Sequence, residues 1–124
     1  MSVREFEPIY LTLEEHPDAL IVGFTVPRLS EDVNLEQLGH ELFALVEQYG
    51  CRKLVVSLRD VIYLTSSGLG KMITLHRKMH RLQGEVVFFD LNETVDEILR
   101  ASKLDTYLKL APDRETALRL LHAG

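Results

Sequence analysis

The sequence predicts a single α/β domain in which a mixed β-sheet of four to five strands packs against about four helices. Short apolar runs typical of strands alternate with longer segments whose apolar residues recur every three or four positions, which is the period of an amphipathic helix. The first two strand-like runs are separated only by the turn segment His16-Pro17-Asp18, so they predict an antiparallel hairpin. The resulting order, β-β-α-β-α-β-α-β-α, predicts a sheet that is mainly parallel after the hairpin.

Five segments have the composition of strands. Ile9–Leu13 alternates apolar and polar side chains, and Ala19–Thr25 is almost wholly apolar, so together they form the predicted hairpin. Lys53–Leu58 and Glu85–Phe89 each contain an uninterrupted apolar core, which is typical of strands buried on both faces. Thr106–Leu110 predicts a short edge strand.

Four segments have the period of helices. Gly50 and Gly84 follow the first two segments and are expected to end them. Ser30 or Asn34 is expected to cap the first helix. The predicted helices are Leu35–Tyr49, Ser67–Leu82, a third that begins at Asn92 or Thr94, and Asp113–Leu121.

Length and composition restrict the class of protein. A chain of 124 residues that is 46% hydrophobic suits one domain, residues 1–124, with one core. The sequence has no apolar run of the roughly 20 residues that span a bilayer. Its first residues lack the apolar stretch of a signal peptide. Its single cysteine, Cys51, cannot form an internal disulfide. We therefore expect a cytoplasmic protein without direct membrane insertion. The net charge of −5 disfavours a nucleic-acid partner, since phosphate binding needs a basic surface.

The most informative segment is Ser66-Ser67-Gly68-Leu69-Gly70, where a loop leads into the second predicted helix. Unpaired backbone N–H groups and the positive end of the helix dipole favour an anion at such a position. Gly68 and Gly70 are expected to let the backbone approach a neighbour closely. The residues themselves support two interpretations, in which Ser66 or Ser67 either caps the helix or accepts a phosphate group.

Other kinds of functional site find little support in the sequence. The serine segment lacks the Gly-x-x-x-x-Gly-Lys-Ser/Thr spacing of a nucleotide-binding P-loop and the Gly-x-Ser-x-Gly spacing of a nucleophile elbow. His76 and His80 lie four residues apart, as metal ligands on a helix do, but no glutamate lies between them and no third ligand is evident. We interpret them as surface or half-buried histidines, and we expect no catalytic residue, no metal site and no cofactor.

Two patterns in the chain resemble a known family. The first is the segment Val61–Gly70, Val-Ile-Tyr-Leu-Thr-Ser-Ser-Gly-Leu-Gly, which directly follows a buried strand. The second runs through the third helix and the final strand and comprises Val95, Ile98, Leu99, Ser102, Leu104, Asp105 and Leu108. Both resemble the STAS domain, the fold of bacterial anti-sigma factor antagonists, and the resemblance covers nearly the whole chain.

The resemblance implies a non-enzymatic anti-sigma factor antagonist that switches partners. In that family the second serine of the motif is the phosphorylation site, which corresponds to Ser67, with Ser66 and Thr65 as alternatives. The unphosphorylated domain binds an anti-sigma factor that is also a serine kinase with a histidine-kinase-like ATPase fold, and this binding releases a sigma factor. Phosphorylation breaks the complex, and a metal-dependent serine phosphatase restores it. The implied partner-binding residues are Thr65, Ser66, Ser67, Gly68, Leu69, Gly70 and Lys71.

The chain departs from the family pattern at two positions, and two other functions stay open. The family commonly has an aspartate in the central strand and another directly before the two serines, where this chain has Ser57 and Thr65. The first alternative is a STAS adaptor subunit that works without phosphorylation in a transport, lipid-associated or scaffold complex. The second is an enzyme or nucleotide-binding protein that uses the Ser-Gly segment as an anion site.

Overall fold

The computed structural model describes residues 2–123, which form a main sheet, a small second sheet and four helices. The strands are β1 (Leu11–His16), β2 (Ala19–Phe24), β3 (Arg28–Leu29), β4 (Lys53–Ser57), β5 (Tyr63–Leu64), β6 (Glu85–Phe89) and β7 (Lys109–Ala111). The helices are α1 (Leu35–Glu47), α2 (Ser66–Arg81), α3 (Glu93–Ala101) and α4 (Arg114–Ala123). In the part of the chain that is described, no helix has both the length and the hydrophobicity needed to cross a membrane.

Five strands form the main sheet in the order β1-β2-β4-β6-β7. β1 and β2 are antiparallel and the other neighbouring pairs are parallel, which confirms the predicted mixed sheet. β3 and β5 pair in parallel as a separate sheet, with Arg28 opposite Tyr63 and Leu29 opposite Leu64. The sequence does not predict this small sheet, because a strand of two residues is too short to show a period.

The centre of the main sheet is buried on both faces. Leu54 and Val56 of β4 pack in a core with α1, α2 and α3, whereas Val55 packs with α4 on the opposite face. In β6 the same alternation places Val86 and Phe88 in the first core. The apolar runs of these two strands therefore match the two-sided burial of central parallel strands, as predicted.

Side chains next to the helices show where they begin. The side-chain oxygens of Asn34 and Asn92 each accept a hydrogen bond from the backbone N–H three residues further on, at 3.0 and 2.9 Å. Of the alternatives left open by the sequence, Asn34 rather than Ser30 thus caps α1, and Asn92 rather than Thr94 caps α3. The Asp113 carboxylate accepts an equivalent bond at 2.8 Å at the start of α4.

β1 lies closer to the hairpin turn than the predicted strand Ile9–Leu13. Its pairing with β2 continues through Glu14 and Glu15 as far as His16, which lies opposite Ala19. Both glutamates are exposed, as polar side chains of an edge strand can be. Their side chains give no sign of a strand, although their backbone is paired with β2.

The last strand also differs from its predicted span, Thr106–Leu110. Lys103 adopts a left-handed backbone conformation with φ of 59°, and a single 3-10 turn then occupies Leu104–Thr106. The chain therefore joins the sheet only at Lys109, and β7 pairs with β6 over three residues.

The first two helices end slightly earlier than predicted, at Glu47 and Arg81. Gly50 follows α1 with φ of 67°, as expected for a residue that ends a helix. After α2 the left-handed residue is Gln83, with φ of 62°, rather than Gly84. A Cβ atom on Gly84 would lie 2.8 Å from the backbone oxygen that precedes β4, so this glycine allows close packing instead.

Candidate functional site

The first turn of α2 carries the predicted serines but is capped by the residue before them. Thr65 has an extended backbone, and its hydroxyl oxygen accepts a hydrogen bond from the N–H of Gly68 at 3.4 Å. The interpretation in which Ser66 or Ser67 caps the helix is therefore wrong, because these are the first two residues of the helix itself. Both serines are exposed.

The two glycines of the motif differ in their surroundings. A Cβ atom on Gly68 would lie 2.1 Å from the carbonyl oxygen of Leu29, so a glycine is required for α2 to approach β3 this closely. A Cβ atom on Gly70 would meet nothing within 4 Å. The predicted close approach is confirmed for Gly68 and is wrong for Gly70.

Backbone hydrogen bonds fix the start of α2 beside β3. The N–H of Thr65 donates to the carbonyl oxygen of Leu29 at 3.1 Å, and the N–H of Ile62 donates to that of Pro27 at 2.7 Å. These bonds extend the pairing of β3 with β5 on both sides. The small sheet therefore holds the serine-bearing turn next to the loop of residues 30–34.

Glu31, in that loop, is the charged residue that meets the serine-bearing turn. Its carboxylate accepts a hydrogen bond from the Thr65 hydroxyl at 3.3 Å and lines the same cleft as Ser67. The neighbouring Ser67 hydroxyl is the main cause that holds the pKa of Glu31 below its ordinary value. Sequence reasoning assigned Glu31 no partner, because it belongs to no motif and its contact with Thr65 joins residues 34 positions apart.

A surface cleft of about 470 Å³ opens beside Ser67, between α1 and α2. Lys71, predicted as a partner-binding residue, is half-buried on its wall, and its alkyl chain lies so close to Gly39 that an added Cβ atom would be 3.1 Å away. Its ammonium nitrogen lies 6.0 Å from the centre of the Phe43 ring. The cleft is lined by Glu31, Leu35, Glu36, Ser67, Gly70, Lys71 and Thr74.

The remaining residues around the motif differ in exposure. Leu69 is half-buried and packs against the main core, so only part of its side chain can reach a partner. Ile62 and Tyr63, which directly precede the capped turn, are instead 52% and 45% exposed. Sequence reasoning used these two residues only as part of the motif, although exposed apolar side chains next to a polar site are typical of a binding surface.

The two positions at which the family commonly has aspartate carry hydroxyl groups with local partners. Ser57 lies at the carboxyl end of β4, and its hydroxyl oxygen accepts a hydrogen bond from the N–H of Arg59 at 3.3 Å. Thr65 caps α2 and bonds to Glu31. Neither family position therefore supplies a carboxylate next to Ser67. The carboxylate that reaches the serine-bearing turn comes instead from Glu31 in the 30–34 loop.

The histidine pair of α2 lies away from the serines, and His76 is more buried than expected, whereas His80 is exposed as predicted. The rings of His76 and His80 are 4.1 Å apart, and His76 is only 6% exposed, so its interpretation as a surface or half-buried histidine is wrong. Burial lowers the pKa of His76, and the neighbouring His80 lowers it further. Among residues 2–123, no group of three or more His, Cys, Asp or Glu side chains is arranged to hold a metal ion.

Comparison with known proteins agrees with this fold. Residues 10–117 match the model of the STAS domain. The chain belongs to the STAS domain family. Over 84 residues it is 33% identical to BtrV of Bordetella bronchiseptica, provisionally named an anti-sigma factor antagonist, and the match covers 68% of this chain and 72% of BtrV. It is also 24% identical over 113 residues to the anti-sigma F factor antagonist of Paenibacillus polymyxa, with 89% and 92% covered.

Solved structures show the same STAS fold. A Thermotoga maritima protein provisionally described as an anti-sigma factor antagonist superposes with a TM-score of 0.79 at 19% identity, covering 90% of this chain and 94% of that one. The phosphorylated form of SpoIIAA, a Bacillus cell fate determinant, gives a TM-score of 0.65 at 16% identity over 89% and 98% of the two chains. At these identities the likeness establishes the fold.

Proposed function

We propose that this STAS protein is an anti-sigma factor antagonist, a binding module without enzymatic activity that binds an anti-sigma factor and thereby releases a sigma factor. The names of its relatives from Bordetella bronchiseptica and Paenibacillus polymyxa support this function. Its net charge of −5 favours a protein partner over a nucleic acid. We propose that residues 1–124 act as one domain in the cytoplasm.

We assign Ser67 as the phosphorylation site of this switch. The observation that carries the assignment is its exposed hydroxyl on the first turn of α2, where Thr65 already serves as the helix cap. The positive end of the α2 dipole stabilises a phosphate at this position. Ser66 and Thr65 are the alternative acceptors. The phosphorylated form of the structurally similar SpoIIAA supports a modified state of this fold.

The partner surface that we propose is the segment 65–71 together with the exposed side chains of Ile62 and Tyr63. A phosphate at its centre adds a charge of about −1.5 to −2, which a bound partner would have to desolvate. The proposed partner is an anti-sigma factor that is also a serine kinase with a histidine-kinase-like ATPase fold. A metal-dependent serine phosphatase would return the protein to its binding state.

Affinity capture from the native cell lysate, followed by mass spectrometry, tests this function. We expect an ATPase of the histidine-kinase-like fold among the captured proteins and phosphate on Ser67. Titration of that kinase then compares Ser67→Asp with the matched variant Ser66→Asp, which places the same charge one residue away. We expect Ser67→Asp to weaken binding by at least about tenfold, and Ser66→Asp to weaken it less.

Three results would change the proposal. Equal affinities of the folded wild-type and Ser67→Asp proteins for the kinase would reject the switch. Labelling that persists in Ser67→Ala, located by peptide mapping, would move the site to Ser66 or Thr65. Capture of proteins of a different class would reject the function itself.

A second candidate function is a STAS adaptor subunit in a transport, lipid-associated or scaffold complex. The hydroxyl side chains of Ser57 and Thr65 favour it, because an adaptor that is never phosphorylated does not need the aspartates common at those positions. Capture of a permease or a scaffold protein, with peptide 60–71 unmodified, would establish this function instead.

A further inference from the structure

The loop of residues 30–34 is held together by bonds of its own. The N–H of Val33 donates to the carbonyl oxygen of Ser30 at 3.3 Å, and the hydroxyl of Ser30 donates to the Asp32 carboxylate at 3.3 Å. Glu31 is not used in these bonds, and its carboxylate reaches across to the Thr65 hydroxyl, in the cleft that Ser67 also lines. The Glu31 side chain therefore joins this loop to the start of α2.

Phosphorylation of Ser67 would replace the attraction between Glu31 and the start of α2 by electrostatic repulsion. The Ser67 hydroxyl is neutral and lines the same cleft as Glu31, whereas its phosphate ester would add about −1.5 to −2 units of charge beside the carboxylate. A second carboxylate, Glu36, lines the same cleft. The cation of that lining, Lys71, lies against α1 beside Phe43. The phosphate would thus meet like charges on the loop side and the positive helix end on the other.

We propose that Glu31 is the sensor of Ser67 phosphorylation: its carboxylate holds the 30–34 loop against α2 in the unmodified protein, and phosphoserine at position 67 repels it and releases the loop. This proposal rests on the proposed phosphorylation of Ser67. Phosphorylation would then change the partner surface in two ways: it would add negative charge at Ser67, and it would move the 30–34 loop at the mouth of the cleft between α1 and α2.

The test installs phosphoserine at position 67 during synthesis by genetic code expansion, so that no kinase or partner is needed. Backbone amide hydrogen exchange is then compared between the modified and unmodified proteins. We expect the amides of residues 31–35 to exchange at least about tenfold faster in the phosphoserine protein, while those of β4 and β6 are unchanged. Carbon NMR titration of the Glu31 carboxyl should show its pKa rising from below its ordinary value towards that value, as the carboxylate leaves the Ser67 side of the cleft.

Two variants show whether the Glu31 carboxylate is responsible. Glu31→Gln removes the charge and supplies an amide donor for the phosphate, so phosphoserine should no longer speed exchange in the loop. Asp32→Asn removes the same charge from the same loop but from a carboxylate that bonds to Ser30, so the response to phosphoserine should persist.

Exchange that phosphoserine leaves unchanged in the wild-type background would overturn the inference. A response of equal size in Glu31→Gln would overturn it as well, because the repulsion would then come from another group. Since phosphoserine is installed directly, these outcomes do not depend on whether the native cell contains the kinase, and failure of the proposed function is detected separately by affinity capture.

Discussion

The two ends of α2 lie in opposite environments, although they belong to one continuous helix. At its start, Ser66 and Ser67 are exposed next to the cleft and the 30–34 loop. In its second half, His76 and Met79 are buried, and the His76 ring lies 4.7 Å from that of Tyr107. The start of the helix is therefore accessible to other molecules, whereas its second half packs the helix onto the sheet.

This difference predicts where substitutions act. Changes to the exposed hydroxyls should alter binding and leave folding nearly intact, whereas changes to the buried half should alter the free energy of unfolding. Gly68 is an exception, because it lies at the start of α2 beside the exposed serines but is buried against β3.

Gly68→Ala should have the largest effect. Its Cβ atom would lie 2.1 Å from the backbone oxygen of Leu29, which cannot move without disturbing the pairing of β3 with β5. We expect a loss of roughly 3 kcal/mol in the free energy of unfolding, at the upper end of the usual cost of overpacking. Urea denaturation followed by circular dichroism measures it.

Gly70→Ala is the matched control for that substitution. Nothing lies within 4 Å of the added Cβ atom, so the variant should be more stable by about 0.5–1 kcal/mol because alanine favours the helix. If both variants lost the same stability, close packing at Gly68 would not be the cause.

His76→Ala should come second, at about 2 kcal/mol, because it removes a buried ring that contacts His80 and Tyr107. The variant should also lose part of the pH dependence of stability. The pKa of His76 in the folded protein lies below its ordinary value of 6.5, so its stabilising contribution is complete above pH 6.5 and declines as the pH falls below that value.

Thermal unfolding between pH 7.5 and about pH 5 checks the sign of this effect. The exposed residue His40 supplies the control, since His40→Ala changes a surface side chain and should leave the stability at pH 7.5 close to that of the wild type. An unchanged slope in His76→Ala would assign the acid sensitivity to another group.

Thr65→Ala should cost about 1 kcal/mol, the usual value of a helix cap, because the N–H of Gly68 loses its side-chain acceptor. The loss should appear as a lower urea midpoint with an unchanged slope. A cost near zero would show that the Thr65 hydroxyl does not serve as the cap.

Ser66→Ala should have the smallest effect, within about 0.5 kcal/mol of the wild type, because an exposed hydroxyl within the helix contributes little to folding. The same urea titration measures it. A loss of stability as large as that of Thr65→Ala would contradict the assignment of Thr65 as the cap. It would indicate that Ser66 caps α2 instead.

Much of the fold could be predicted because its signals are local. The apolar runs of β4 and β6 and the helical period of α2 are properties of a few neighbouring residues, so their places were predicted to within one residue at each end. The ends of β1 and β7 were less accurate, because pairing with a neighbouring strand extends or shortens an edge strand regardless of its own pattern.

The candidate site was predicted less completely than the fold. The motif placed Ser67 at the start of α2, and the structure agrees. It did not show that Thr65 is the cap, because three successive hydroxyl residues all have the chemistry of a cap and only the backbone conformation distinguishes them. The burial of His76 was also hidden, since the residues that cover it come from other elements.

The order of the elements and the position of the serines at a helix start can be read from the residues alone, because side-chain period and turn chemistry act over a few residues. The packing of Gly68 against Leu29 and the contact of Glu31 with the serine-bearing turn depend on long-range packing. The Glu31–Thr65 contact joins residues 34 positions apart, and such a contact exists only once β3 and β5 have paired.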